Sequence, residues 1–552
     1  MPSPTSKFLL CVCLAAFVPC VAPALADMKV KLKDGRVLSL PVEREEVDSI
    51  TFGPGGADSP AQRAADRLRG DAESVRSASD AVARAEEAVR KAEAAARAAQ
   101  AAADAAEKAR SEAQQAGEEA RAAAAAAGRV ALKPPRRAEA PAPARNGPAP
   151  RAEGDPPRVL KVGPGQPYTL PSQAAKAAGN GDVIEIQAGT YNGDVAVWRA
   201  DNLVIRGVGG PVRLLAGGRA AQDKGIWVIA GDNTTVQNVE FSGARVRDRN
   251  GAGIRQEGAG LIVRHCRFVD NEMGILAGSN PRSDILIEHS EFARNTTDYE
   301  RYKALGHNVY VGRVRSFTLR HSWVHGAVTG HNVKSRALRN LILYNRIGDE
   351  ADGGSSYLVD LSNGGASVLL GNVFHQGPRA DNWAMVSYGT EGTNPDQSLF
   401  VVNNTFVNDK GDGIFVRRIA AGETVMINNI LAGKGKPLVG GGRLRGNLIV
   451  GAGGLAGAVR GLLGGDAARP GSGALEGNLL AADAGFADPR KFDFRLTRGS
   501  PAIDAGEPPG SGAGMSLRPD SEYRHPLMAA ERRTSGAPDI GAFEFASGQN
   551  AP

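Results

Sequence analysis

Two copies of one tetrapeptide frame the part of this sequence richest in reactive groups. GHNV opens at Gly306 and again at Gly330, and five of the eight histidines fall between His289 and His331. The first copy brings His307, Asn308 and Tyr310. The second brings His331, Asn332, Lys334 and Arg336, and Asp360 and Ser362 follow in the next apolar segment. An amine can act as a general base where neighbouring positive charge lowers its pKa, although a carboxylate such as Asp360 works against that. A guanidinium grips a carboxylate through two parallel hydrogen bonds. A phenol can donate to a departing oxygen or lie under a ring. Asn308, Asn332, Ser362, His307 and His331 add hydrogen-bonding capacity, with a structural place at a turn as the competing role for the two histidines. The nearby acidic loop GDEADGG holds Asp349, Glu350 and Asp352, which offer oxygen ligands for calcium or simply make a solvated turn. His321 and His325 with His331 do not form a metal motif without a helix to bring the rings together.

The elements that position these groups repeat. An apolar start, a small or polar residue and a closing apolar residue recur at Phe241, Phe268, Phe292, Val324, Ile347, Phe374, Phe406 and Leu431, at intervals of 23 to 32 residues. A period of this size means a solenoid. No helical periodicity accompanies it, so the unit is several short strands per coil, a parallel β-helix. Two residues before the closing position stand Asn345, Asn372, Asn404 and Asn429, expected to stack and pass hydrogen bonds from coil to coil. Val239, Cys266, Ser290 and Ser322 take that place earlier.

A further strand in each coil carries HNVYVG, HNVKSR, YLVDLS and, later, MVSYGT. Side chains alternate along a strand. Setting Val309, Val333 and Val359 inward puts Tyr310, Lys334 and Asp360 outward in one column, with Asn308, Asn332, Arg336 and Ser362 alongside. His307 and His331 then have inward parity. A slip by one residue would bury three ionised groups, at several kcal/mol for each unpaired ion.

The remainder of the chain bounds the setting. Residues 1–26 read as a secretory signal, with Lys7, an apolar run and Ala-Leu-Ala before Asp27. No later run is long and apolar enough to span a membrane. An exported protein, periplasmic or extracellular, is expected. Three of the four cysteines lie in the leader, so Cys266 has no intrachain partner. Residues 27–56 carry a β-hairpin signal around Asp34-Gly35. Residues 60–128 are Ala-rich with a heptad through Val75, Val82 and Val89, either a solvated helical spacer or a coiled coil that joins copies of the chain through residues 62–127. Residues 129–157 are a Pro/Ala-rich linker, and 546–552 a short tail. The net charge of +6 is concentrated in that linker, so it gives no reason to expect nucleic-acid binding.

Residues 158–545 resemble the right-handed parallel β-helix proteins of the pectate-lyase-like superfamily. YTLPSQAAKAAGNGDVIEIQAGTY (168–191) is similar to their capping helix and first strand. FRLTRGSPAIDAG and PDIGAFEF are similar to the end module of exported bacterial β-helix proteins. The resemblance implies an all-β solenoid and an acidic polysaccharide as partner. The chemistry it implies first is lyase β-elimination, which needs a base and positive charge or metal for the developing carboxylate dianion. Lys334, Arg336, Tyr310 and Asp360 are then the catalytic candidates. Glycoside hydrolysis needs two facing carboxylates, Asp360 with Asp349, Glu350 or Glu391. A non-catalytic glycan-binding or cell-surface structural protein is the alternative.

Overall fold

The computed structural model describes residues 26–31, 37–42, 156–296, 306–451 and 477–545. The heptad segment, the linker up to residue 155 and the tail lie outside these residues, as does the leader before Ala26. Ala26–Lys31 pairs antiparallel with Val37–Val42. These strands belong to a unit separate from the solenoid.

Between Val159 and Ala481 the described residues form a right-handed parallel β-helix. Among the described residues ten strands, from Ala196–Trp198 to Lys436–Val439, form one parallel sheet. A composite sheet of 22 strands carries the other two ladders of each coil. The closing apolar residues stack in the expected register: Phe241 on Phe268, Phe268 on Phe292, Phe292 on Val324, then Ile347, Phe374, Phe406 and Leu431. The rings of Phe241, Phe268 and Phe292 lie nearly parallel, 4.9 and 4.7 Å apart, and wholly inside. This spacing follows from the distance between coils.

The asparagine ladder is present. The backbone N–H of Asn345 donates to Asn372 Oδ1, Asn372 to Asn404 and Asn404 to Asn429, each at 2.9 Å. It continues through Asn447 to Asn478. Ser290 and Ser322 accept the same bond with a hydroxyl in earlier coils. The residue before each rung turns the corner with positive φ: His265, His289, His321 and Tyr344 lie between 49° and 54°. Such residues are uncommon in the left-handed region. Here their rings stack one on the next at 5.1, 5.2 and 5.4 Å.

The helix Pro171–Ala177 closes the first coils with Ala174 and Ala175 buried. The far end departs from the expectation that coils continue to residue 545. The parallel ladder stops at Leu479–Ala481, and three short antiparallel pairs between Phe486 and Glu531 follow it among the described residues. Apolar residues facing outward explain this. Val368, Leu370, Val402 and Ile427 are covered by Leu517, and Ile430, Leu448 and Val450 by Phe494, Ile540 and Phe543. Among the described residues no helix is long and apolar enough to cross a membrane.

Candidate functional site

The ten-stranded sheet sets the expected column. Tyr310 pairs in register with Lys334, and Lys334 with Asp360. Val309, Val333 and Val359 are in the core at 0% exposure. The parity of these six residues therefore matches the alternation in the sequence.

Outward is not exposed, however. Lys334 is 7% and Asp360 1% accessible. Lys334 Nζ lies 3.2 Å from Asp360 Oδ2 and also contacts Glu391 Oε1. Arg336 contacts the other oxygen of Glu391, donates from Nε to the Tyr310 hydroxyl at 3.1 Å and from Nη1 to Asn363 Oδ1 at 2.9 Å. One carboxylate thus spans two cations. The loop that carries it is tied down by Glu391 N–H to Ser362 O and Asn394 N–H to Asn363 O, both 2.8 Å. Burial works to raise the Glu391 carboxyl, but Lys334 and Arg336 outweigh it and hold the group below its usual range. Burial raises Asp360 against the opposing pull of Lys334. Asp360 Oδ1 has no hydrogen-bond partner among the described residues.

Three expectations need correction. Asn308 and Asn332 do not lie beside the column. Both are fully buried in a second internal ladder, with Asn295 Nδ2 donating to Asn308 Oδ1 at 2.8 Å and Asn308 Nδ2 to Asn332 Oδ1 at 2.7 Å. The strand pairing skips them, so alternation breaks at the coil corner. His307 and His331 accordingly stand on the side of Tyr310, not inside with the valines. Their rings stack at 4.9 Å, and His307 stacks on Tyr310 at 5.7 Å. Ser362 does not face a ligand: it is buried and donates to Asp360 Oδ2 at 2.6 Å, which makes it a positioning group.

The acidic loop does not converge. Asp349 is buried, accepting from Ser355 and Gly377 N–H at 3.3 and 3.2 Å. Glu350 pairs with Arg346 at 2.9 Å, and exposed Asp352 with Arg379 at 3.2 Å. Among the described residues no group of three acidic, histidine or cysteine side chains is arranged to hold a metal. The fit to calcium therefore fails at these residues.

The histidines are set by their hydrogen bonds. His331 N–H donates to His307 Nδ1 at 3.0 Å, and Tyr357 N–H to His331 Nδ1 at 3.2 Å. Each neutral ring then carries its proton on Nε2, and that of His331 faces Asp360 Oδ2 at 3.5 Å. Neither Nδ1 lone pair is free to take a proton. Burial holds both rings well below 6.5, and burial also takes His321 down to about 4. The unfolded chain therefore binds protons first as pH falls. Stability should be full above pH 6.5 and should decline steadily from there toward pH 4. Denaturant midpoints across that range test this, and a flat profile would contradict the buried neutral rings.

Glu391 was legible in the sequence only as a conceivable second carboxylate, and Asn363 not at all. Their loop carries no pattern that announces which coil it covers.

No family model matches the chain, and no curated protein matches it. Among solved structures it is similar to pectate lyase Pel9A, with 16% identity and a TM-score of 0.46 over 70% of this chain and 96% of that one. It is also similar to an alginate lyase from Paenibacillus sp. str. FPU-7, at 13% and 0.35 over 52% and 99%. Pectin methylesterase PemA from Erwinia chrysanthemi follows at 10% and 0.27 over 48% and 90%. The fold itself rests on the chain's own registers, coil upon coil from Val159 to Ala481. By those ladders the chain is a right-handed parallel β-helix protein.

Proposed function

We propose that this chain binds an acidic polysaccharide at Lys334, Arg336 and Tyr310 and cleaves it by β-elimination. The observation that carries the reading is the carboxylate of Glu391, held between Lys334 and Arg336 beside the Tyr310 hydroxyl. A pair of cations that accepts one carboxylate in this way is a receptor for another. A uronate carboxylate displacing Glu391 would meet a guanidinium suited to bidentate contact. Lys334, whose ammonium already touches Asp360, supplies positive charge for the dianion that forms when the proton beside the carboxylate is removed. Tyr310, entering the step as its phenolate, is then the group available to take that proton and, now a phenol, to return it to the departing sugar oxygen. The electron pair left behind forms the carbon–carbon double bond. Asp360, at 1% exposure, orients Lys334 and does not meet the sugar.

Incubation with a panel of uronic-acid polysaccharides should generate unsaturated ends that absorb in the ultraviolet. Tyr310→Phe and Arg336→Lys should each lower that rate by roughly 100-fold or more with the melting temperature unchanged. Binding without any absorbance change would reduce the function to glycan recognition, a reading favoured by how deeply Lys334 lies.

The same geometry makes Glu391 a competitor of the substrate. Glu391→Gln keeps the side-chain shape and removes its charge. Uronate affinity should rise about tenfold, the equivalent of one charge-assisted hydrogen bond no longer displaced. Calorimetric titration would show it, and an unchanged or weaker affinity would mean that the two sites do not overlap.

A further inference from the structure

The outward column does not end at the candidate site. In register along the ten-stranded sheet it runs Arg255, Leu276, Tyr310, Lys334, Asp360, Ser387, Arg417. Arg255 lies three coils before Lys334 and Arg417 three coils after it. At about 4.8 Å per coil each interval is roughly 14 Å. Both arginines are partly exposed. Neither forms a salt bridge among the described residues. The acid nearest Arg255 in sequence, Glu257, is engaged by Lys224. The composite sheet treats its arginines differently. There Arg267 is matched with Glu240 and Glu291 on the coils to either side, and Arg264 and Arg320 both with Glu288. Unlike these, Arg255 and Arg417 have no carboxylate partner on a neighbouring coil among the described residues, and they stand on the same column as Lys334 and equally far from it.

From this spacing we infer that Arg255 and Arg417 are distal subsites for the carboxylates of one linear polyanion lying along the solenoid axis. The inference rests on the proposed carboxylate site at Lys334 and Arg336 and extends it. The ligand class is an unbranched polyuronate that covers at least six coil steps. Between Arg255 and Lys334 the column holds Leu276, buried with Met273 in one apolar cluster, and the partly exposed ring of Tyr310, an aromatic surface suited to the face of a sugar ring. Between Asp360 and Arg417 the column position is Ser387, which is wholly buried, so the ligand passes over it without contact. A short ligand bound at the centre would reach neither arginine.

The test compares a uronic-acid disaccharide with an octasaccharide of the same sugar, in galacturonate and mannuronate series, by calorimetric titration of the full chain. The octasaccharide should bind more tightly than the disaccharide. Arg255→Gln and Arg417→Gln should each weaken the octasaccharide by about tenfold, the worth of one hydrogen bond to a charged group, and leave the disaccharide unchanged. Arg255→Lys and Arg417→Lys, which keep the charge, should recover part of the loss, and this separates charge from misfolding. Octasaccharide binding that is unaffected by either Gln variant would overturn the distal subsites while leaving the central site standing. Equal weakening of both ligand lengths would overturn them as well. Failure of the unaltered chain to bind either length would overturn the central site and the subsites together.

Discussion

Lys334→Ala should destabilise the protein by about 3–5 kcal/mol, the usual effect of stripping one partner from a buried ion pair. Asp360 would remain at 1% exposure, with the Ser362 hydroxyl and His331 Nε2 still beside it but without its ammonium partner. It would then take up a proton on folding. Its folded pKa, already raised by burial, would rise further without the ammonium. A raised carboxyl favours the folded state at low pH, so the loss in the variant should be greatest at neutral pH and shrink as pH falls toward the ordinary carboxylate range. Adding Asp360→Asn to Lys334→Ala should restore much of the stability. Denaturant midpoints for the two single variants and the double variant measure the coupling. A loss below about 1 kcal/mol would place the pair in the class of surface salt bridges and remove the case for a dry site. This also refines what the alternation alone suggests, that outward residues can be truncated without cost to the fold.

Asn404→Ala should be comparably severe, for a different reason. Its Oδ1 accepts from both the backbone N–H and the Nδ2 of Asn372, and its own Nδ2 donates to Leu369 O and Asn429 Oδ1. Truncation leaves several buried donors and acceptors without partners, each costing about 1–3 kcal/mol. A total of about 3–5 kcal/mol is expected. Asn478, the last rung and only partly buried, can be satisfied by water after truncation. Asn478→Ala should therefore cost less than about 1 kcal/mol. Thermal or denaturant unfolding of the two variants gives the comparison. Similar values for both would mean that the ladder is not held together by burial.

How much of this was legible beforehand varies residue by residue. The intervals between Phe241 and Leu431 specified a solenoid because each coil must present an apolar residue at the same place to build a continuous core. The asparagine ladder followed from the same count, since stacked coils bring equal positions within hydrogen-bonding reach. The parity of Tyr310, Lys334 and Asp360 was also contained in the sequence, because burying Val309, Val333 and Val359 leaves those groups no other side. Alternation could not foresee that Asn308 and Asn332 turn inward. That depends on a break in pairing at the coil corner, where an internal ladder from Asn295 claims their amides. Nor could it foresee that the acidic loop disperses, each carboxylate drawn to a different neighbour. Above all, the closed state of the site is a tertiary fact. Glu391 lies 57 residues from Lys334 in sequence and reaches it only because two further coils stack beneath and a backbone-anchored loop returns over the column. Period and alternation are local rules, and they fix which face a side chain takes. What covers that face is decided by loops whose path answers only to the assembled surface.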